Sequence, residues 1–137
     1  MKIDNIPPRE TNASLQRFYR AANKKYFAAK LDVAVIRFSN KLKKGRHGET
    51  QSWVYERVYG QRTTHRPVEE TRHHILINTH LRHYHDLCMM TVYHEMVHAE
   101  LIGLGFHGRE NSCKKSGSRF NRRMAELAQA GAFNGLW

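Results

Sequence analysis

The stretch from Asp86 to about Leu101 limits the fold more than any other part of this chain. At helical spacing Met90, His94, Val97 and Leu101 make one stripe, while Leu87, Met89, Val92 and Met96 fall on the other sides. A helix that is apolar nearly all round has to be enclosed, so the remaining elements must be arranged about it. The same run contains His94-Glu95-Met96-Val97-His98. Two imidazoles and a carboxylate in a buried helix are costly unless something satisfies them, and a bound metal ion does so directly.

The pattern reads H-E-x-x-H. Four residues apart on a helix, His94 and His98 project from one face and can hold a single Zn²⁺, with Glu95 beside the metal as a non-ligating general base. A catalytic zinc keeps three protein ligands and one open position. His107, nine residues after His98 and beyond Gly103 and Gly105, is the expected third ligand, because the glycines let the chain leave the helix and turn back. Three alternatives stay open: Cys113, Glu126 as part of a His-His-Glu set, and the cluster His80, His83 and His85.

Before the central helix, Leu15, Phe18, Tyr19, Ala22 and Tyr26 recur at three- and four-residue steps and predict a first helix capped by Thr11 or Asn12. Leu31 to Phe38, Thr50 to Tyr59 and His73 to Asn78 read as strands, separated by the basic loop Lys41 to Gly48 and the polar stretch Gly60 to Glu70. No crossover helix stands between these strands, which predicts an antiparallel sheet. A last helix is expected from Ser118, burying Phe120, Met124 and Leu127 and stopping at Gly131. The expected fold is therefore α+β, a small three-stranded antiparallel sheet packed with an N-terminal, a central and a C-terminal helix.

With 137 residues there is room for one domain, 1–137, around one core. The formal net charge of +11 favours polyanionic partners, DNA or RNA first. Candidate contacts are Lys41, Lys43, Lys44 and Arg46 in the loop, Lys114, Lys115, Arg119, Arg122 and Arg123 near the last helix, and Trp53 and Tyr55 as stacking platforms. Two cysteines, Cys88 and Cys113, are too few for a disulfide framework and suit a reducing compartment. There is no signal-peptide pattern and no run of about eighteen apolar residues, so a cytoplasmic protein without a membrane span is expected.

From Leu15 to about Met124 the chain resembles the SprT-like zinc metallopeptidases, the family that includes the Spartan protease of DNA–protein crosslink repair. The likeness is carried by LQRFYRAANKKYFAAKL at Leu15 to Leu31, by Ile75-Leu76-Ile77-Asn78 before His80-Leu81, by HEMVHAEL, and by His107-Gly108-Arg109-Glu110, similar to the family's H-G-x-E segment. Asn111 stands where that segment commonly has an aromatic residue, and a second echo at Gly117-Ser118-Arg119-Phe120 has Ser116 where a histidine would be expected. No cysteine-rich zinc ribbon follows, as in a minimal catalytic domain of the kind phages and bacteria encode. The resemblance implies a zincin-like fold, Zn²⁺ as cofactor, His94, His98 and His107 as ligands, Glu95 as catalytic residue, and nucleic acid that recruits or activates the protease.

The expected activity is cleavage of protein substrates by a zinc-activated water with Glu95 as general base. Tyr93, Arg109 and several histidines are candidates for a second oxyanion donor. The alternative is a basic nucleic-acid-binding module in which a fourth protein ligand closes a structural zinc site. A two-metal nuclease is disfavoured by the scarcity of acids, twelve in all.

Overall fold

In the computed structural model, the described residues are 9–43, 45–55, 58–59, 62–63 and 70–136, with side chains described except at 34 and 53–72. The elements run α1 (Asn12–Tyr26), β1 (Val33–Ser39), β2 (Gly48–Tyr55), β3 (Val58–Tyr59), β4 (Arg62–Thr63), β5 (Glu70–Asn78), α2 (His85–Gly103) and α3 (Arg119–Gln129). Short 3-10 turns at Thr79–His83 and Gly108–Asn111 flank α2. The class is α+β, as the sequence leads one to expect.

The sheet is mixed rather than antiparallel. Its order is β1-β5-β2, with β2 antiparallel to β5 and β1 parallel to it, and β3 pairs separately with β4. The expectation of an antiparallel sheet assumed that only a helix could carry the chain between parallel strands. Here β2 carries it instead: the chain leaves β1, returns along β2, and then inserts β5 between the two, so β5 meets β1 running the same way. One consequence matters for the site. β2 is an edge strand, hydrogen-bonded only to β5 among the described residues.

Helix α1 begins with a reciprocal capping box, in which Thr11 Oγ1 accepts from Ser14 N–H and Ser14 Oγ accepts from Thr11 N–H. Its buried face, Leu15, Tyr19 and Ala22, packs on the core. At its far end Asn23 donates to the carbonyl and accepts from the N–H of Leu31, both at 3.1 Å, which turns the chain into β1.

Helix α2 is enclosed as its composition demands. Met89, Val92, Met96, Val97 and Leu101 are buried against Ile75 and Ile77 of the sheet, Leu15 of α1 and Phe120 and Leu127 of α3. Gly105, at φ +89°, lets the chain reverse after the helix, a conformation costly for a residue with a Cβ. Ser118 caps α3 by accepting from Asn121 N–H at 3.1 Å, and Gly131 follows its end at φ +88°. No described helix is long and apolar enough to cross a membrane.

Candidate metal centre

His94 and His98 leave α2 on the face turned toward α3 and the edge strand β2. Their Nε2 atoms lie 3.2 Å apart. Tetrahedral zinc with Zn–N bonds of about 2.0–2.1 Å sets two nitrogen ligands roughly 3.3 Å from one another. Phe120, in the first turn of α3, stacks on the His98 ring at 4.2 Å and meets His94 edge-on at 4.8 Å, which limits rotation of both imidazoles.

Burial keeps both rings neutral. It pushes His94 down to about 4, helped by the neighbouring His98, and it lowers His98 as well, against the opposing effect of hydrogen bonding to Asn111. Asn111 Oδ1 stands 2.9 Å from His98 Nδ1, and its Nδ2 donates to the His98 carbonyl at 3.3 Å. An Asn111 Oδ1 that accepts a hydrogen bond from Nδ1–H favours the tautomer in which Nε2 presents its lone pair toward His94. That protonation state is the one a metal needs.

Glu95 points away from solvent, 6 % exposed, into the seam between α2 and β2. Thr50 Oγ1 lies 2.8 Å from its Oε1 and 3.1 Å from its backbone carbonyl, while Oε2 lies 4.0 Å from His94 Nε2. Burial pushes the carboxyl up to about 7, opposed by the Thr50 hydrogen bond and the Arg46 charge. The seam is tight. A Cβ on Gly48 would sit 2.8 Å from Thr91 Cγ2 and 3.0 Å from Glu95 Cγ, so glycine there makes room for the carboxylate.

Among the described residues, the third potential ligand brought to the histidines is Cys113. Its Sγ and the ligand atoms of His94 and His98 all lie within 4.8 Å of one another. Asn121 Nδ2 donates to the Cys113 carbonyl at 3.3 Å and to the Lys115 carbonyl at 2.8 Å, and Ser118 Oγ donates to the Ser112 carbonyl at 2.8 Å. The start of α3 thus anchors the loop carrying the thiol. His107 is exposed at the entry to the Gly108–Asn111 turn and lies outside this group.

The other candidates are placed elsewhere. Glu126 is 65 % exposed and paired with Arg123. His85 bonds to Glu10 at 2.6 Å, His80 meets His47 edge-on, and neither joins the group at His94. Tyr93 is a core residue, its ring edge-on to Phe18 and Phe133, and Arg109 is exposed on the Gly108–Asn111 turn. Lys44 and the side chains of Trp53 and Tyr55 lie outside the described residues. Sequence reasoning missed Gly48 and Thr50 as neighbours of Glu95. Nor does the sequence single out Asn111 as the partner of His98.

A cleft of about 910 Å³ opens over the site. Leu87, Met90, Ile102 and Met124 give it apolar walls, and Lys43, Arg46, His47 and Lys114 stand among its basic lining residues. The strand segment Gly48 to Thr50 borders it. No family model, curated protein or solved structure matches the chain.

Proposed function

We propose that this chain is a zinc-dependent endopeptidase of the SprT-like kind, with a zincin-like arrangement of edge strand and H-E-x-x-H helix. In this proposal His94, His98 and Cys113 hold the metal and Glu95 is the general base. The observation that carries it is the convergence of two neutral imidazole Nε2 atoms, 3.2 Å apart, beside a buried carboxylate at the wall of an open cleft. Two nitrogen donors and a nearby thiol form a donor set zinc accepts readily, and the N···N spacing suits its tetrahedral geometry.

When bound, Zn²⁺ supplies Lewis-acid polarisation of the substrate carbonyl and acidifies water. Everything else falls to the chain. Thr50 holds Oε1 of Glu95, leaving Oε2 on the histidine side to take the proton of the attacking water and pass it to the leaving amine. Burial raises the Glu95 carboxyl above the ordinary carboxylate range, which favours its taking up a proton. The edge of β2, unpaired among the described residues, offers backbone groups to an extended peptide, whose side chains would rest on Leu87 and Met90.

A three-donor set favours this function over a structural zinc site, since no fourth histidine, cysteine or acid joins the group among the described residues. The test uses zinc-loaded protein and an unfolded protein substrate. Glu95→Gln is expected to retain one zinc per chain and lose cleavage. Cleavage at the wild-type rate by that variant would remove Glu95 from the mechanism, and failure of the wild type to retain zinc would remove the metal.

A further inference from the structure

One face of α2 lines the metal cleft from Leu87 through His94 and His98 to Ile102. At 1.5 Å per residue this stripe is about 22 Å long, which matches roughly six or seven residues of extended chain. Leu87 stands apart from other large apolar residues of the helix. It is 43 % exposed, whereas Met89, Val92, Met96 and Val97 are enclosed. Met90, one turn nearer the histidines, is half-buried and packs on the core, so it is held in place where it borders the cleft. Apolar surface left open to water in a cleft gains free energy when a ligand's apolar group covers it.

The loop before β2 is fastened at the same end of the helix. Asn78, which leads into the Thr79–His83 turn before α2, donates from its N–H to the His47 carbonyl at 2.7 Å and from Nδ2 to the Arg46 carbonyl at 2.9 Å. Packing along β2 agrees with that placement: Gly48 comes against Thr91 and Glu95, and Thr50, two residues on, bonds to Glu95. Arg46 is paired with Glu49 at 3.4 Å, while Lys43 is exposed and has no ion pair among the described residues. Both lysine and arginine line the cleft. This end of the cleft therefore combines two apolar side chains with a cation that lacks a counter-ion among the described residues.

We propose that Leu87 and Met90 form a subsite for a large apolar side chain of an extended, unfolded polypeptide substrate, and that Lys43 favours an acidic residue next to it. Along the helix Met90 and Leu87 precede His94 by about 6 and 10 Å, or roughly two to three residues of extended chain. The apolar residue therefore lies about two or three positions from the bond that is cut, on one side of it only. Its placement relative to that bond rests on the peptidase reading, and the subsite itself rests on the cleft. A segment both apolar and acidic is the occupant that complements the lining in surface character and in charge.

The test is fluorescence anisotropy with labelled peptides of Ser, Thr and Gly that carry one guest residue, Leu or Ser, with Asp or Lys beside it. They are titrated with full-length Glu95→Gln protein in added zinc, which binds without cutting. The Leu guest is expected to bind about tenfold more tightly than Ser, and Leu87→Ser/Met90→Ser to bring the two within about twofold. Lys43→Glu should reverse a preference of about threefold for Asp over Lys, and an unchanged preference would overturn the role of Lys43. Leu104→Ser, at a leucine 66 % exposed and outside the cleft, should keep both preferences. Equal binding of Leu and Ser peptides, binding of neither, or a Leu preference that survives the double substitution would overturn the subsite. A wild-type dimer that Leu87→Ser dissolves would give this face to a second copy and overturn it too. Leu87→Ser alone repeats the measurement at an exposed position, and circular dichroism melts check the fold of each variant. Mass spectrometry of the peptides after incubation with wild type separates the two readings: selective binding without cleavage supports the subsite and removes the peptidase, and cleavage at other distances from the guest overturns the placement.

Discussion

The two oxygens of Glu95 have different surroundings, and the proposed mechanism depends on that difference. Thr50 occupies Oε1, and Oε2 is the one nearer the histidines. Gly48 keeps the seam open for both. Gly48→Ala should therefore displace the carboxylate, cutting kcat by at least tenfold while zinc content stays at one per chain. Unchanged turnover would mean that the close packing at Gly48 has no bearing on the base. Asn111 sits on the opposite side of the histidine pair, at His98 Nδ1. Removing a partner of this kind commonly costs 10–100-fold in metal affinity, so competition with a zinc-binding dye should register such a loss for Asn111→Ala and recovery for Asn111→Asp. His94, Glu95 and His98 could be read from spacing alone. Thr50 could not: it lies forty-five residues before Glu95, and nothing in the local pattern of a strand announces which helix its hydroxyl will face.

At the scale of elements, helix ends and apolar stripes were legible because their causes are local. Thr11 and Ser118 cap the helices for which their hydroxyls suit them. Strand pairing was less legible, since the direction of β5 relative to β1 depends on where β2 lies, a long-range outcome. The place of Cys113 depends on long range in the same way: Ser118 and Asn121 at the start of α3 hydrogen-bond the carbonyls of Ser112 and Cys113 and hold that segment near the histidines, while His107 is exposed outside the group. A testable consequence for β5 concerns His73, 3 % exposed and 2.8 Å from Ser52 Oγ through its Nδ1. Burial lowers its pKa below the ordinary 6.5, partly offset by Asp32. On acidification the unfolded chain takes up this proton first, so stability supplied by neutral His73 is complete above about pH 6.5 and declines as pH falls toward the lower folded value. Urea melts of metal-free protein between pH 5 and 8 should show a shallower acid decline for His73→Gln than for wild type. Parallel pH curves would contradict the sign or the burial.

Considered as a whole molecule, the protein sets one polar helix face inside an apolar frame. The core of Leu15, Ile75, Ile77, Met96, Phe120 and Leu127 packs about α2, and the face of the helix that carries His94 and His98 borders the cleft. Metal bound by the native state and not by the unfolded chain must stabilise the fold by mass action. Thermal melts should accordingly shift upward with added Zn²⁺ in wild type and in Glu95→Gln, and much less in His98→Ala. An equal shift in all three would place the metal elsewhere. The most direct measurement is zinc K-edge X-ray absorption on the loaded protein, because it counts donor types at the metal. Two imidazole nitrogens, one sulfur and one non-protein oxygen are predicted, with the sulfur shell disappearing in Cys113→Ser; three imidazoles without sulfur, or four protein donors, would contradict the proposed centre.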